Sequence, residues 1–301
     1  MGVVTTCSRS IRVGEIRVTS LCDAQVDLSV WHDLPAPAEG WRSLFDRMPW
    51  AFGGPTMWRI HCHAFLVRTP DATVLVDTGP GPQVRLDRWV RWGFPSQWVG
   101  AVVQRAAGMP ASLGAAGRGA ESVDHVVTTH LHLDHVGWAL AGDGSGPTFP
   151  RARHHVSAAD WAWMRSSNDE EVRRHFQSFL RPLADPGVIE PSEGAMDIVP
   201  GVHMLPFPGH TPGHRAVLVQ SQDRHLVLAG DLVHHVVQFE QPDWAGFDND
   251  EVLSRGGRRN LLARVAGERW ILATSHLGDP FGTLTAEGAG YGWRSYADGE
   301  G

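Results

Sequence analysis

Apolar and polar positions alternate over residues 11–21, as a half-buried strand requires, and the alternation returns over 58–68, before a further strand predicted at 73–77. Residues 123–129 are apolar and β-branched and predict a further strand. Strands are also predicted at 202–207, 215–220, 225–229 and 270–274. Helical spacing of Trp161, Met164, Phe176 and Phe179, with Ser157 placed to cap, predicts a helix pair or one long helix over 157–180, and a further helix fits 250–265. The segment 85–113 is helix-compatible, with a break at Gly93, Phe94 and Pro95. Residues 31–55 hold Pro35, Pro37, Pro49 and Pro55 among Trp41, Phe45, Trp50 and Phe52, which predicts an irregular loop placed to cover a pocket. Each half of the chain therefore reads as strands followed by helices. That order suits an α/β fold of four layers, αββα, in which two mixed sheets pack face to face with helices outside. A single domain over 1–301 is expected.

Composition narrows the function classes. The 301 residues contain 42% hydrophobic positions, enough for a sizeable core, and carry a formal charge of -7. That charge, with no basic block, argues against a nucleic-acid partner, whose phosphates need clustered Lys and Arg. The longest apolar runs, 64–67 and 226–230, are too short to cross a bilayer. The amino terminus lacks the charged start and apolar core of a secretory signal, so a cytoplasmic protein is expected. Only Cys7, Cys22 and Cys62 are present, an odd and widely spaced set that suits reduced thiols. Histidine is the unusual residue, at 17.

Four of those polar groups cluster directly after the 123–129 strand. His130, His132, Asp134 and His135 fall within six residues, where a turn can aim several side chains inward. Neutral imidazoles with a carboxylate suit zinc, which takes nitrogen and oxygen ligands at about 2.0–2.2 Å and keeps an open position when catalytic. The spacing His-x-His-x-Asp-His after a strand resembles the signature of the metallo-β-lactamase superfamily. The resemblance extends to Asp77-Thr78-Gly79, to Gly209-His210-Thr211, to Asp231 after an apolar strand, and to His276 after the last strand, in the family's order.

The resemblance implies two zinc ions per chain. His130, His132 and His210 are expected to hold one, Asp134, His135 and His276 the other, with Asp231 as the bridge. Asp77 is expected to support the ligands by hydrogen bonds, and His214 to be a structural hydrogen-bonding group. Two such ions share and activate a water, which makes the chain a candidate zinc-dependent hydrolase with Asp134 and Asp231 in catalytic roles and Asp134 moving the proton. A β-lactamase normally lacks the bridging Asp and is exported. Lactonases and aryl or phosphotriester hydrolases of the family share the full ligand set, so an ester, lactone or related acyl bond of an apolar small molecule is the expected substrate. Quorum-sensing lactonases commonly carry Tyr three residues beyond the bridge, where this chain has His234. His234, Trp50, Phe52 and Trp244 are candidate substrate contacts. A thioesterase, an iron-dependent oxygenase and a non-catalytic metal-binding protein of the same fold are the alternatives, and the oligomeric state, homodimer included, is left open.

Overall fold

The computed structural model describes residues 8–29, 39–81, 102–105, 108–141, 146–184, 187–244 and 247–296. Among them, the first sheet contains β1 (Ser10–Val13), β2 (Ile16–Ser29), β3 (Phe52–Gly54), β4 (Met57–Arg68), β5 (Thr73–Val76), β6 (Val102–Arg105), β7 (His125–Val127), β8 (Arg153–Ser157) and β9 (Ile189–Ser192). The second contains β10 (Met196–Val199), β11 (Val202–Pro206), β12 (Arg215–Ser221), β13 (Arg224–Leu228), β14 (Ile271–Ala273), β15 (Phe281–Glu287) and β16 (Gly290–Ser295). Both sheets are mixed. β5, β7, β8 and β9 run parallel, as do β13 and β14, and the remaining pairs are antiparallel.

Successive strand residues point to opposite faces, and this sorts the core into layers. Val74, Val76 and Phe65 of the first sheet meet Leu226, Leu228, Ile271 and Ala273 of the second in one buried cluster. The intervening Leu75 and Leu66 turn outward onto α2 (Met109–Ala115) through Met109 and Leu113. On the other side Val227 and Leu272 turn outward onto α8 (Glu251–Glu268) through Leu261, Leu262 and Val265. The result is the expected αββα arrangement. Further helices are α1 (Gly40–Arg47), α3 (Leu133–Val136), α4 (Ala158–Ser166), α5 (Glu170–His175), α6 (Arg181–Ala184) and α7 (Val237–Glu240). No helix among the described residues is long and apolar enough to cross a membrane.

Two expectations change. Within 31–55, residues 39–55 are not an irregular loop but α1, a turn of 3-10 helix at Pro49–Ala51, and β3. Trp41 and Leu44 give α1 a buried face, and Phe52 packs edge-on against Trp41 and Phe45. Within 85–113, residues 102–105 form a strand on the edge of β2 rather than helix, because Val102 and Val103 pair with Asp27 and Val26. The break at 93–95 and residues 31–38 lie outside the described residues. Of the two readings of 157–180, the helix pair holds, as α4 and α5, with a π-helical turn at Phe176–Leu180.

Candidate metal centre

Parallel strands place their carboxyl ends on one edge, and the polar cluster sits there. β7 delivers Thr129, His130 and His132, and α3 follows at once with Asp134 and His135. β5 ends at Asp77, β13 runs into a 3-10 turn holding Asp231, and β14 leads to His276. His210 arrives on the loop between β11 and β12. That loop is pinned from α4 by Asp160, whose carboxylate accepts from Thr211 Oγ1 at 2.9 Å and from the Gly213 amide at 2.6 Å. Burial pushes the Asp160 carboxyl up to about 6, against these hydrogen bonds. Gly230, just before Asp231, has φ of +54°, and a side chain there would stand 2.7 Å from His214 Nε2. Only glycine fits that turn.

The donors converge as two sets that share one carboxylate. In the first, His130 Nε2 and His210 Nε2 each lie 3.0 Å from His132 Nδ1, while Asp231 Oδ2 lies 3.6 Å from His130 and 3.3 Å from His210. In the second, Asp231 Oδ1 lies 3.1 Å from His135 Nε2 and 2.9 Å from His276 Nε2. Asp134 Oδ2 stands 3.7 and 3.8 Å from the same two nitrogens. Ligands about 2.1 Å from a tetrahedral metal stand about 3.4 Å apart, so both sets match the edges of a coordination shell.

The far side of each ring explains why the lone pairs point inward. His130 Nδ1 donates to Thr129 Oγ1 at 3.1 Å, and that hydroxyl donates on to Asp77. His135 Nδ1 donates to Asp77 Oδ2 at 2.8 Å, and His276 Nδ1 to the His61 carbonyl at 2.7 Å. His210 Nδ1 faces Asp248 Oδ1 at 3.5 Å. Each anchored ring therefore presents an unprotonated Nε2 to its neighbours. Asp231 Oδ1 and His135 Nε2 are buried with no hydrogen-bond partner. Converging lone pairs around a buried carboxylate repel one another unless a cation lies between them, and metal ions of the zinc kind fit that need.

The electrostatics state the same demand. Burial opposes charge on Asp231, yet His135, His276, His130 and His234 outweigh it and hold its carboxyl well below the usual range. Burial also opposes a charged His135, but Asp231, Asp77 and Asp134 raise its proton affinity, and Asp231 and Asp134 do the same for His276. His130 and His132 move the other way, lowered by burial and by neighbouring histidines. The centre requires positive charge, concentrated at Asp231.

Residues 57–276 match the family described as the metallo-beta-lactamase superfamily. This chain belongs to that superfamily. A probable metallo-hydrolase of Mycobacterium tuberculosis is 35% identical over 185 residues, which are 58% of this chain and 57% of that protein. The chain thus matches little more than half the length of that relative. An N-acyl homoserine lactonase of Bacillus cereus is 27% identical over 216 residues, 70% of this chain and 79% of that enzyme. Among solved structures, the dizinc quorum-quenching lactonase AidC, in complex with a product, superposes with a TM-score of 0.78 at 20% identity, covering 96% of this chain and 97% of its own. The hydrolase AbOPH gives 0.79 at 22% identity, covering 96% and 97%. These two show the shared fold.

The structure brings all seven expected ligands together, as two donor groups that share Asp231 and that could each hold a metal ion. It places Asp77 beneath them, with a positive φ of 58° that lets its carboxylate reach the Thr129 amide at 2.8 Å as well as His135. His214 donates from Nδ1 to the Phe207 carbonyl and accepts the Asp231 amide at Nε2. His234 Nε2 lies 3.3 Å from Asp231 Oδ2, whereas His235 turns away and accepts from the Val237 amide. Phe52 and Trp244 are buried against Trp41 and behind His235, and Trp50 is 53% exposed. The first two pack around the His235 ring. Three supports were absent from the sequence reading: Asp160, Asp248 with its buried partner Arg258, and Asp23, which accepts from the Gly81 and Met109 amides and from Trp138 Nε1. Single carboxylates outside a motif carry no local signal.

Proposed function

We propose that this chain is a zinc-dependent hydrolase that opens a lactone, or cleaves a related ester, of an apolar small molecule. The observation that carries the reading is the Asp231 carboxylate divided between two donor sets, one oxygen to each. A fold shared with a dizinc lactonase and sequence similarity to N-acyl homoserine lactonases support it. His130, His132 and His210 would hold one zinc ion, Asp134, His135 and His276 the other, with Asp231 in both shells. When bound, the pair supplies an activated water at neutral pH and polarises the acyl oxygen.

The chain's own groups then do the rest. Asp134, 8% exposed, stands beside His135 and His276 and is placed to take a proton at its free carboxylate oxygen and pass it to the leaving alkoxide. His234 offers a buried imidazole with neither nitrogen in a hydrogen bond, stacked on His276 with 5.7 Å between ring centroids. Its Nε2–H would donate to the acyl or alkoxide oxygen, in the place where lactonases of the family commonly use a tyrosine. The bridged set disfavours the iron-dependent oxygenase, which needs only two His and one Asp.

The test is a hydrolysis panel on zinc-loaded protein: N-acyl homoserine lactone, aryl ester, thioester, phosphotriester and β-lactam. Turnover of the lactone or aryl ester ahead of the others is expected. No turnover of any acyl substrate at full zinc occupancy would overturn the reading.

A further inference from the structure

A second group of metal-type donors lies beside the dinuclear centre and shares no residue with it. Cys22 on β2 is the direct cross-strand partner of His63 on β4, and His61 follows two residues away on the same face. One donor atom from each of the three lies within 4.8 Å of the others. Cys22 Sγ is 3.9 Å from His61 Nδ1, and the two imidazoles are nearly parallel, with centroids 5.7 Å apart. A thiolate and an imidazole on one tetrahedral zinc stand about 3.6 Å apart, from bond lengths of about 2.3 and 2.0 Å.

We propose that Cys22, His61 and His63 form a third metal site, which takes a zinc ion through one thiolate and two imidazoles. His63 supplies the independent observation. Its Nε2 donates to the Leu277 carbonyl at 3.0 Å, so the lone pair is left on Nδ1. That Nδ1 is buried with no hydrogen-bond partner, on a side chain 1% exposed. A ring held by a backbone carbonyl at one nitrogen and bare at the other is the arrangement of a metal-ligating histidine.

The strand geometry assembles the set. A bulge between Cys22 and Ala24 takes Asp23 out of the ladder, and its carboxylate is engaged by the Gly81 and Met109 amides and Trp138 instead. The thiol meanwhile lies 3.7 Å from the Ala24 carbonyl. A metal there would clamp β2 and β4 to the segment carrying His276, since His63 N donates to the Ser275 carbonyl and the His61 carbonyl holds His276 Nδ1. The role is structural, and it does not depend on the substrate.

Metal analysis of the full chain after exhaustive dialysis, together with cobalt replacement, tests this. The dinuclear centre has no sulfur ligand, so a thiolate-to-cobalt charge-transfer band in the near ultraviolet reports the third site alone. Three equivalents and that band are expected for the unaltered chain, falling to two equivalents without the band in Cys22→Ser. Should Cys22→Ser fail to fold, His61→Asn changes a half-buried side chain and is expected to lose the third equivalent. Two equivalents and no band in the unaltered chain would overturn the proposal. A band that persists in Cys22→Ser arises from Cys7 or Cys62 and overturns it equally.

Discussion

His214 Nε2 accepts the backbone amide of Asp231 at 3.0 Å, so the second histidine of the 210–214 segment holds Asp231 from behind and has no ring nitrogen left for the donor sets. Its Nδ1 donates to the Phe207 carbonyl at 3.2 Å, and burial lowers the ring to about 3, which keeps it neutral and able to accept. His214→Ala should therefore leave two zinc ions per chain at saturation. It should destabilise the fold by about 2–3 kcal/mol, because a buried amide loses its partner. Metal analysis and denaturant titration on the same sample check both, and loss of one zinc would place His214 among the ligands.

Asp231 is the one residue common to both donor sets. Asp231→Asn keeps size and packing while removing the charge that opposes four surrounding histidines. The variant should fold, retain one zinc at most, and lose roughly a hundredfold or more of its hydrolysis. Circular dichroism with metal analysis separates this from unfolding, and full activity would sink the bridged centre.

Asp77 orders two of the proposed ligands, His135 directly and His130 through Thr129. Asn tolerates the left-handed backbone at this position, so Asp77→Asn isolates the lost charge. Zinc affinity should fall about 10- to 100-fold, as for other residues that support ligands. Competition against a chromogenic chelator measures it.

Acid should destabilise the metal-free protein through buried neutral histidines. His175 on α5 donates Nε2–H to the Leu131 carbonyl at 2.8 Å, and burial lowers it from 6.5 to about 4. Between these values the unfolded chain binds more protons than the folded one. Stability from this residue is thus complete above pH 6.5 and is lost as pH falls towards 4, about 2–3 kcal/mol by pH 4.5. His175→Gln keeps the donor and removes the titration. Denaturant midpoints for the two proteins should converge as pH falls from 7 to 4.5, and parallel curves would rule this contribution out.

Arg258 and Asp248 form an ion pair at 3.3 Å with both side chains fully buried, and Arg258 also donates to the Pro242 and Trp244 carbonyls at 2.9 and 3.0 Å. Arg258→Ala leaves Asp248 charged in the interior behind His210. A loss of about 3–5 kcal/mol is expected in chemical denaturation. A change under 1 kcal/mol would mean that water replaces the guanidinium.

The layers and the ligands were legible for the same reason. The near-continuous apolar runs at 73–77 and 225–229 record strands buried on both faces, and His130 to His135 sits where a strand must end. Helix α1 was hidden because prolines flank a short helix whose apolar face is covered by residues far along the chain, Trp244 among them. Strand β6 was hidden because its pairing with β2 spans more than seventy residues.

By itself the sequence determined the superfamily and named seven candidate donors in their order, because motif spacing after strands is local information. Tertiary structure alone decided how Asp231 divides its oxygens, that His214 holds an amide, that Asp160 and Asp248 stand behind His210, and that Cys22 meets His61 and His63. Each of those facts depends on the approach of segments far apart in the chain. Hydrogen-bond direction and burial are set by that approach, and no local pattern records it.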